Sequence, residues 1–274
     1  MHGVARSLDL LRSQRVRIWG NPGGRTIVFG HGFGWSQEMW RLVAPSFMAQ
    51  HTVVLFDHIG AAGTDSERYD VDRYSTLHGY ADDLVELIDS LGLEEVVYVG
   101  HSVSAMIGAL AAARRPAAFD GLVLLSPSPR YVDDIDYRGG FGLDEVRGLV
   151  DAITTDASGW ARTMAPHIVG NPDQGWIAEE MIAGFAALDR TVAGHVARAI
   201  FLGDYRAELA AIGTPTLIVQ AADDLVVPPE VAQYLHARIR NSRLVEVAGT
   251  GHATNLSSPG EIIAAIAGFL PTLV

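Results

Sequence analysis

Short runs of β-branched and aromatic residues recur along the chain, each ending in a turn signal. Residues 16–19, 26–29, 52–56, 96–99, 121–125, 216–219 and 244–247 read as strands. Most are continuously apolar, as strands covered on both faces are. Helical spacing fills the gaps. From Ser75 to Leu91, Tyr80, Leu84, Leu87, Ile88 and Leu91 share one side while Asp82, Asp83, Glu86 and Asp89 share the other, and Gly92 supplies a stop. Residues 38–48 read as a helix interrupted early by Pro45, 230–239 as a second and 259–270 as the last. Ser258, Pro259 and Glu261 have the form of a capping box with proline at the first helical position. Strands alternating with helices predict an α/β fold: a mostly parallel central sheet with helices on both faces.

The rhythm changes between Pro127 and about Tyr205. No strand pattern is present there, and helical patterns appear near 143–153, 158–169, 177–188 and 192–202. Four helices inserted between strands predict a cap (lid) over the carboxyl-end crevice of the sheet, the place where open α/β sheets bind ligands. The expected division is a core of residues 1–128 and 206–274 with a cap of 129–205 inserted in it. Most cap aromatics should pack the cap itself, and a minority should face a ligand cavity.

Composition narrows the function. Apolar residues make up 49% of the 274 and charged residues 19%, a globular balance. A net charge of −12 argues against nucleic acid and against anionic membranes as partners. With no cysteine, disulfides, thiol nucleophiles and Cys-ligated zinc are excluded. The first twenty residues carry no apolar run long enough for a signal peptide, and no segment reaches the ~18 apolar residues of a membrane span. A cytoplasmic protein is the expectation. The loop Gly30-His31-Gly32-Phe33-Gly34 lacks both the Lys-Ser/Thr ending of a phosphate loop and the spacing of a dinucleotide loop, so no cofactor or metal is expected.

The chemistry centres on Val96-Val97-Tyr98-Val99-Gly100-His101-Ser102-Val103-Ser104, which runs on into Ala105-Met106-Ile107-Gly108. A strand, a sharp turn and a small-residue helix are the context of a nucleophile elbow. Ser104 stands where glycine is usual and is still small enough for close packing. An ordinary strand-to-helix connection capped by Ser102 would look alike. What separates the two is whether a base and an oxyanion hole lie elsewhere. Acyl transfer by serine needs a base and a carboxylate to orient it, in the chain order Ser, acid, His. Ser102, Asp224 and His252 supply that order, each after a predicted strand. Asp223 competes with Asp224, which is preferred for the Leu225-Val226-Val227-Pro228 that follows it. His101 is too close to turn back on its neighbour. His236 lies mid-helix, and His167 and His195 belong to the cap. The backbone N–H groups of Phe33 and Val103 are the expected oxyanion hole. His31 reads as a hydrogen-bonded loop residue, and Asp57 as a carboxylate holding loop amides.

The run Gly100-His101-Ser102-Val103-Ser104-Ala105-Met106-Ile107-Gly108 resembles the elbow of the RsbQ-type α/β hydrolases and their plant relatives, the karrikin and strigolactone receptors. So do Gly30-His31-Gly32-Phe33-Gly34, Asp72-Arg73-Tyr74-Ser75-Thr76-Leu77 and Ser126-Pro127-Ser128-Pro129-Arg130-Tyr131, and Asp136-Tyr137-Arg138-Gly139-Gly140-Phe141 resembles the start of that family's cap. The resemblance implies an α/β-hydrolase fold with a V-shaped four-helix lid over a deep apolar pocket. It implies the triad Ser102, Asp224 and His252, and a pocket that includes Tyr131, Trp160, Met164, Phe201, Leu225 and Val226. Met164 departs from the pattern, since an aromatic residue is common there. The implied activity is hydrolysis of a small hydrophobic ester or lactone. The alternative is a signalling protein whose pocket senses a butenolide-like ligand and whose cap engages a regulatory partner such as a stress-response phosphatase.

Overall fold

The computed structural model describes residues 9–64 and 66–273. The first eight residues of the N-terminal stretch, Asp65 of the turn-rich loop after the third strand, and Val274 lie outside them. In chain order the elements are β1 (Arg17–Gly20), β2 (Thr26–Gly30), β3 (Thr52–Leu55), α1 (Leu77–Ser90), β4 (Val96–His101), α2 (Val103–Arg114) and β5 (Phe119–Leu125). Then follow α3 (Leu143–Val169), α4 (Gly175–Ala186), α5 (Arg190–Phe201), β6 (Thr216–Asp223), α6 (Pro229–Arg238), β7 (Ser242–Thr250) and α7 (Pro259–Phe269). The seven strands among the described residues form one sheet in the order β1-β3-β2-β4-β5-β6-β7. All neighbours pair parallel except β1, which runs antiparallel to β3. β4 lies mid-sheet and every residue of it is buried, as its unbroken apolar run requires. Helix α2 packs on β4 and β5 with α1 against it, while α6 and α7 pack on β6 and β7.

Two local expectations fail. Instead of one helix over 38–48, two single 3-10 turns form at Gln37–Trp40 and Ala44–Phe47. Pro45 has no N–H to give a helical ladder and sits at the first turn of the second piece. The capping box before α7 does not close either. Ser258 makes no side-chain cap bond, and Glu261 instead accepts the Ala248 N–H of β7 at 2.7 Å.

Between β5 and β6 lie only helices and two isolated bridges among the described residues, Val132 with Phe141 and Asp134 with Tyr137. The patterns at 143–153 and 158–169 are the two arms of α3, broken at Asp156, whose backbone leaves the helical region at φ −153° and ψ 84°. The Asp156 carboxylate accepts the Gly159 N–H at 2.8 Å and so starts the second arm as an N-cap. The connections in and out of this helical segment are clamped together. Arg130 pairs with Asp204 at 2.6 Å, Arg206 pairs with Asp134 at 2.9 Å, and the Tyr205 N–H donates to the Pro129 carbonyl at 2.9 Å.

Candidate active site

Ser102 occupies the corner between β4 and α2 with φ 55° and ψ −119°. This region is unfavourable for a residue with a Cβ and costs about 1–3 kcal/mol. The corner persists because the elements on either side over-determine it: the Ser102 N–H donates to Leu125 O on β5 at 2.8 Å. It also needs Gly100, since a Cβ there would lie 2.5 Å from the Ser104 carbonyl oxygen. The result lifts the Ser102 hydroxyl off the carboxyl end of the sheet.

There it meets His252, which follows β7. Ser102 Oγ lies 2.8 Å from His252 Nε2, and His252 Nδ1 lies 2.8 Å from Asp224 Oδ2. The other Asp224 oxygen accepts the N–H groups of Val226 at 2.9 Å and Val227 at 3.1 Å. Burial alone would push the Asp224 carboxyl up, but His252 and these two N–H groups outweigh it and hold it below its usual value. An anionic Asp224 fixes the proton on Nδ1 and leaves the Nε2 lone pair facing the serine hydroxyl. Asp223, the competing acid, is exposed at the end of β6.

The backbone of His252 is anchored on both sides. Its N–H donates to Ile168 O near the end of α3 at 2.9 Å, and its carbonyl accepts His101 Nε2–H at 2.8 Å. Burial first, then the neighbouring His252 ring, pushes His101 down to about 3, so it stays neutral. Gly251 is required beside it: φ is +84°, and a Cβ would stand 1.7 Å from the Val169 carbonyl oxygen.

Val103 opens α2, so its N–H has no intrahelical acceptor. Phe33 faces it from the loop after β2. That loop is pinned by a network the sequence did not reveal. The Ser104 hydroxyl donates to the His31 carbonyl and accepts His58 Nε2–H at 2.5 Å. His58 N–H donates to His31 Nε2 at 3.0 Å, and His31 Nδ1–H donates to Gly32 O at 2.9 Å. The serine in place of the usual glycine therefore ties the Gly-rich loop to the elbow. Ser104→Ala should keep the fold and lower kcat about tenfold with little change in KM, as expected when one positioning bond is lost. Ester kinetics with circular dichroism check it, and an unchanged kcat would remove the role. Asp57 holds the same region: its oxygens accept the Gln37 backbone N–H at 2.7 Å and side-chain amide at 2.9 Å.

Above Ser102 lies a cavity of about 50 Å³, lined by Tyr131, Trp160, Phe201 and Val226 together with Phe33 and His252. Two expected pocket residues are absent from its wall. Leu225 is 60% exposed, because the turn that points Asp224 inward points its neighbour out. Met164 is half-buried on the second arm of α3 and packs into the hydrophobic core outside the cavity. Phe185, one of the cap aromatics, also lines the cavity, as do Trp35 and Met181, which sequence reasoning missed. Met181 and Phe185 stand four apart on α4, a spacing that could have marked them as one face. His167 is exposed, His236 bonds Ser242 Oγ at 2.9 Å on the surface, and His195 lies beside the Tyr69 ring; none enters the site. Among the described residues no group of three or more His, Asp or Glu side chains could hold a metal ion.

Residues 25–259 match the family model described as the alpha/beta hydrolase fold. The chain belongs to the α/β-hydrolase family. This hydrolase is 39% identical over 252 residues to a protein of Oryza sativa subsp. japonica named as a probable esterase, covering 92% of this chain and 93% of that protein. It is 37% identical over 255 residues to a strigolactone esterase of Arabidopsis thaliana, covering 93% and 95%. It is also 37% identical over 252 residues to the karrikin insensitive 2 receptor CA of Petunia hybrida, covering 92% and 93%. Among solved structures, a hydrolase from Oleispira antarctica superposes with a TM-score of 0.93 at 34% identity over 97% of both chains. The hydrolase thus has relatives named as esterases and relatives named as receptors on one scaffold.

Proposed function

We propose that this hydrolase cleaves small, uncharged carboxylic esters or lactones through Ser102, His252 and Asp224, with the Phe33 and Val103 N–H groups as oxyanion hole. The supporting observation is the unbroken relay from Asp224 Oδ2 through His252 to Ser102 Oγ, with both links at 2.8 Å. His252 Nε2 takes the hydroxyl proton as Oγ forms its bond to the substrate carbonyl carbon. The carbonyl oxygen becomes an oxyanion held by the two N–H groups, each such donor being worth about 10²–10³ in rate. His252 then protonates the departing alcohol oxygen, which leaves an acyl group on Ser102. Water, deprotonated by His252, releases the acid and restores Oγ–H. In a lactone the alcohol stays tethered to the acyl chain.

The substrate class follows from the walls. Aromatic and aliphatic side chains dominate the lining, and the one carboxylate in the relay is committed to His252. A volume of about 50 Å³ admits roughly four water-sized groups. We read residues 129–205 as a lid whose movement admits anything larger, and the location as cytoplasmic. No helix among the described residues is long and apolar enough to cross a membrane. Incubation with p-nitrophenyl acetate and a phenyl-substituted butenolide, followed by intact-protein mass spectrometry, tests the reading. Saturable turnover through a transient acyl mass on Ser102 is expected, and no turnover of either compound would sink it.

A second reading, an RsbQ-type sensor in which a partner reads the lid, is supported by one contact. The His252 N–H is bonded to Ile168 O of the lid, so chemistry on the histidine bears directly on the lid. Lasting mass on His252 after slow butenolide cleavage would favour it.

A further inference from the structure

A second cavity, of about 30 Å³, lies on the far side of the Gly-rich loop. It is bordered by Val103 and Ile107 of α2, by His58 and Tyr80, and by Leu188 and Val196 of the lid. Phe33 and Trp35 line both this cavity and the one above Ser102, so they form the wall between the two. The Phe33 ring is itself only half-buried and packs edge-on to Phe185 at 4.9 Å.

The chemistry at Ser102 decides which end of a substrate points this way. His252 has to protonate the leaving oxygen, so the alcohol arm sits over His252. No residue of the 224–226 turn or of the 252–253 loop borders the second cavity. The acyl arm, on the other side of the scissile carbon, is the one directed toward it. The polar atoms in the wall suit a neutral arm. Ser104 gives its only proton to the His31 carbonyl, so His58 must donate through Nε2–H, which leaves Nδ1 as an acceptor. The Tyr80 hydroxyl is buried in this wall with the Tyr69 hydroxyl beside it.

We propose that this cavity is the acyl subsite: it takes the end of an uncharged, mainly apolar acyl arm, about two to three heavy atoms, with room for one oxygen against Tyr80, entered past the Phe33 ring. The inference rests on the serine-hydrolase reading for the direction of the arm. Each methylene seated there should gain about fourfold in binding.

The experiment has two arms. The first measures kcat/KM for p-nitrophenyl acetate through octanoate with wild type, Val196→Phe and Tyr80→Phe. Val196 is half-buried, so a larger side chain can fill the cavity without opening the core. Val196→Phe should leave acetate within twofold and lower hexanoate and octanoate at least tenfold. Tyr80→Phe should lower a 3-hydroxyacyl or 3-oxoacyl ester several-fold relative to the plain chain. Equal effects on acetate and octanoate, or no effect on either, would overturn the subsite. The second arm needs no turnover. Methyl ketones from 2-butanone to 2-nonanone bind to Ser102→Ala protein, read by tryptophan fluorescence. Tightening with chain length that Val196→Phe abolishes is expected, and a length-independent affinity overturns the proposal. If no ester is cleaved but the ketones still show that dependence, the hydrolase reading fails and the cavity stands as a binding site.

Discussion

Ser102→Ala protein is expected to lose about 10⁵–10⁶ of kcat for p-nitrophenyl acetate, the scale seen when the nucleophile of a serine triad is removed. His252→Ala should cost about as much, and the double variant no more than either, because the two side chains act as one unit. Asp224→Asn is the sharper test. The amide keeps the shape and its oxygen still accepts the Val226 and Val227 N–H groups, but it offers an N–H to His252 Nδ1 and so favours the tautomer with its proton on Nε2. A loss of about 10⁴ in kcat at unchanged KM is expected. Stopped-flow release of p-nitrophenolate measures all four. Residual activity above a hundredth of wild type in Ser102→Ala would mean that another group carries the reaction.

Acid should weaken the fold well before carboxylates are protonated. Burial holds His31, His58 and His101 below their ordinary values, and His101 is pushed down to about 3. In the unfolded chain each titrates near 6.5. As pH falls below 6.5 the unfolded state therefore binds protons that the folded state does not, and stability falls. At pH 5 His101 alone accounts for about 2 kcal/mol, with His31 and His58 acting in the same direction. Asp224 acts in a lower window: its depressed value adds stability above its unfolded value near 4, lost only as pH falls further. The urea midpoint at pH 5.0 should lie clearly below that at pH 7.5. An equal or higher midpoint at pH 5.0 would mean that these histidines take up protons while folded.

Much of the site is legible in the sequence because its parts obey local rules. A β-branched run, a tight corner and small residues mark the elbow, and the order Ser102, Asp224, His252 follows from each lying just past a strand. The choice of Asp224 over Asp223 rests on the residues that follow, and the structure turns Asp224 inward. What the sequence hides depends on contacts between distant segments. Ser104 reads as a small residue, yet its hydroxyl finds the carbonyl of His31, 73 residues away. The family resemblance places Leu225 in the wall, but a tight turn sends adjacent side chains opposite ways and leaves it exposed. Met164 lies one helical turn from both Trp160 and Ile168, which line the cavity, yet is not part of its wall. Glu261 has the spacing of a capping box and is instead drawn to an N–H of β7. In each case local propensity is weaker than a tertiary partner.

The distance along the chain between the reacting groups has a consequence for how the molecule comes into being. Ser102 and His252 are 150 residues apart, on β4 at mid-sheet and just beyond β7 at the sheet's end. Bringing them together needs β6 to pair with β5 across the helical segment, Thr216 against Leu122, and β7 to add to β6; such long-range parallel pairing is the slowest kind of contact to form. Recovery of activity after dilution from denaturant therefore dates the docking of the last strand rather than the collapse of the core. Tryptophan fluorescence, which includes buried Trp40 beside β2, should return first. The lag between the two signals is a clock for the assembly of the sheet edge.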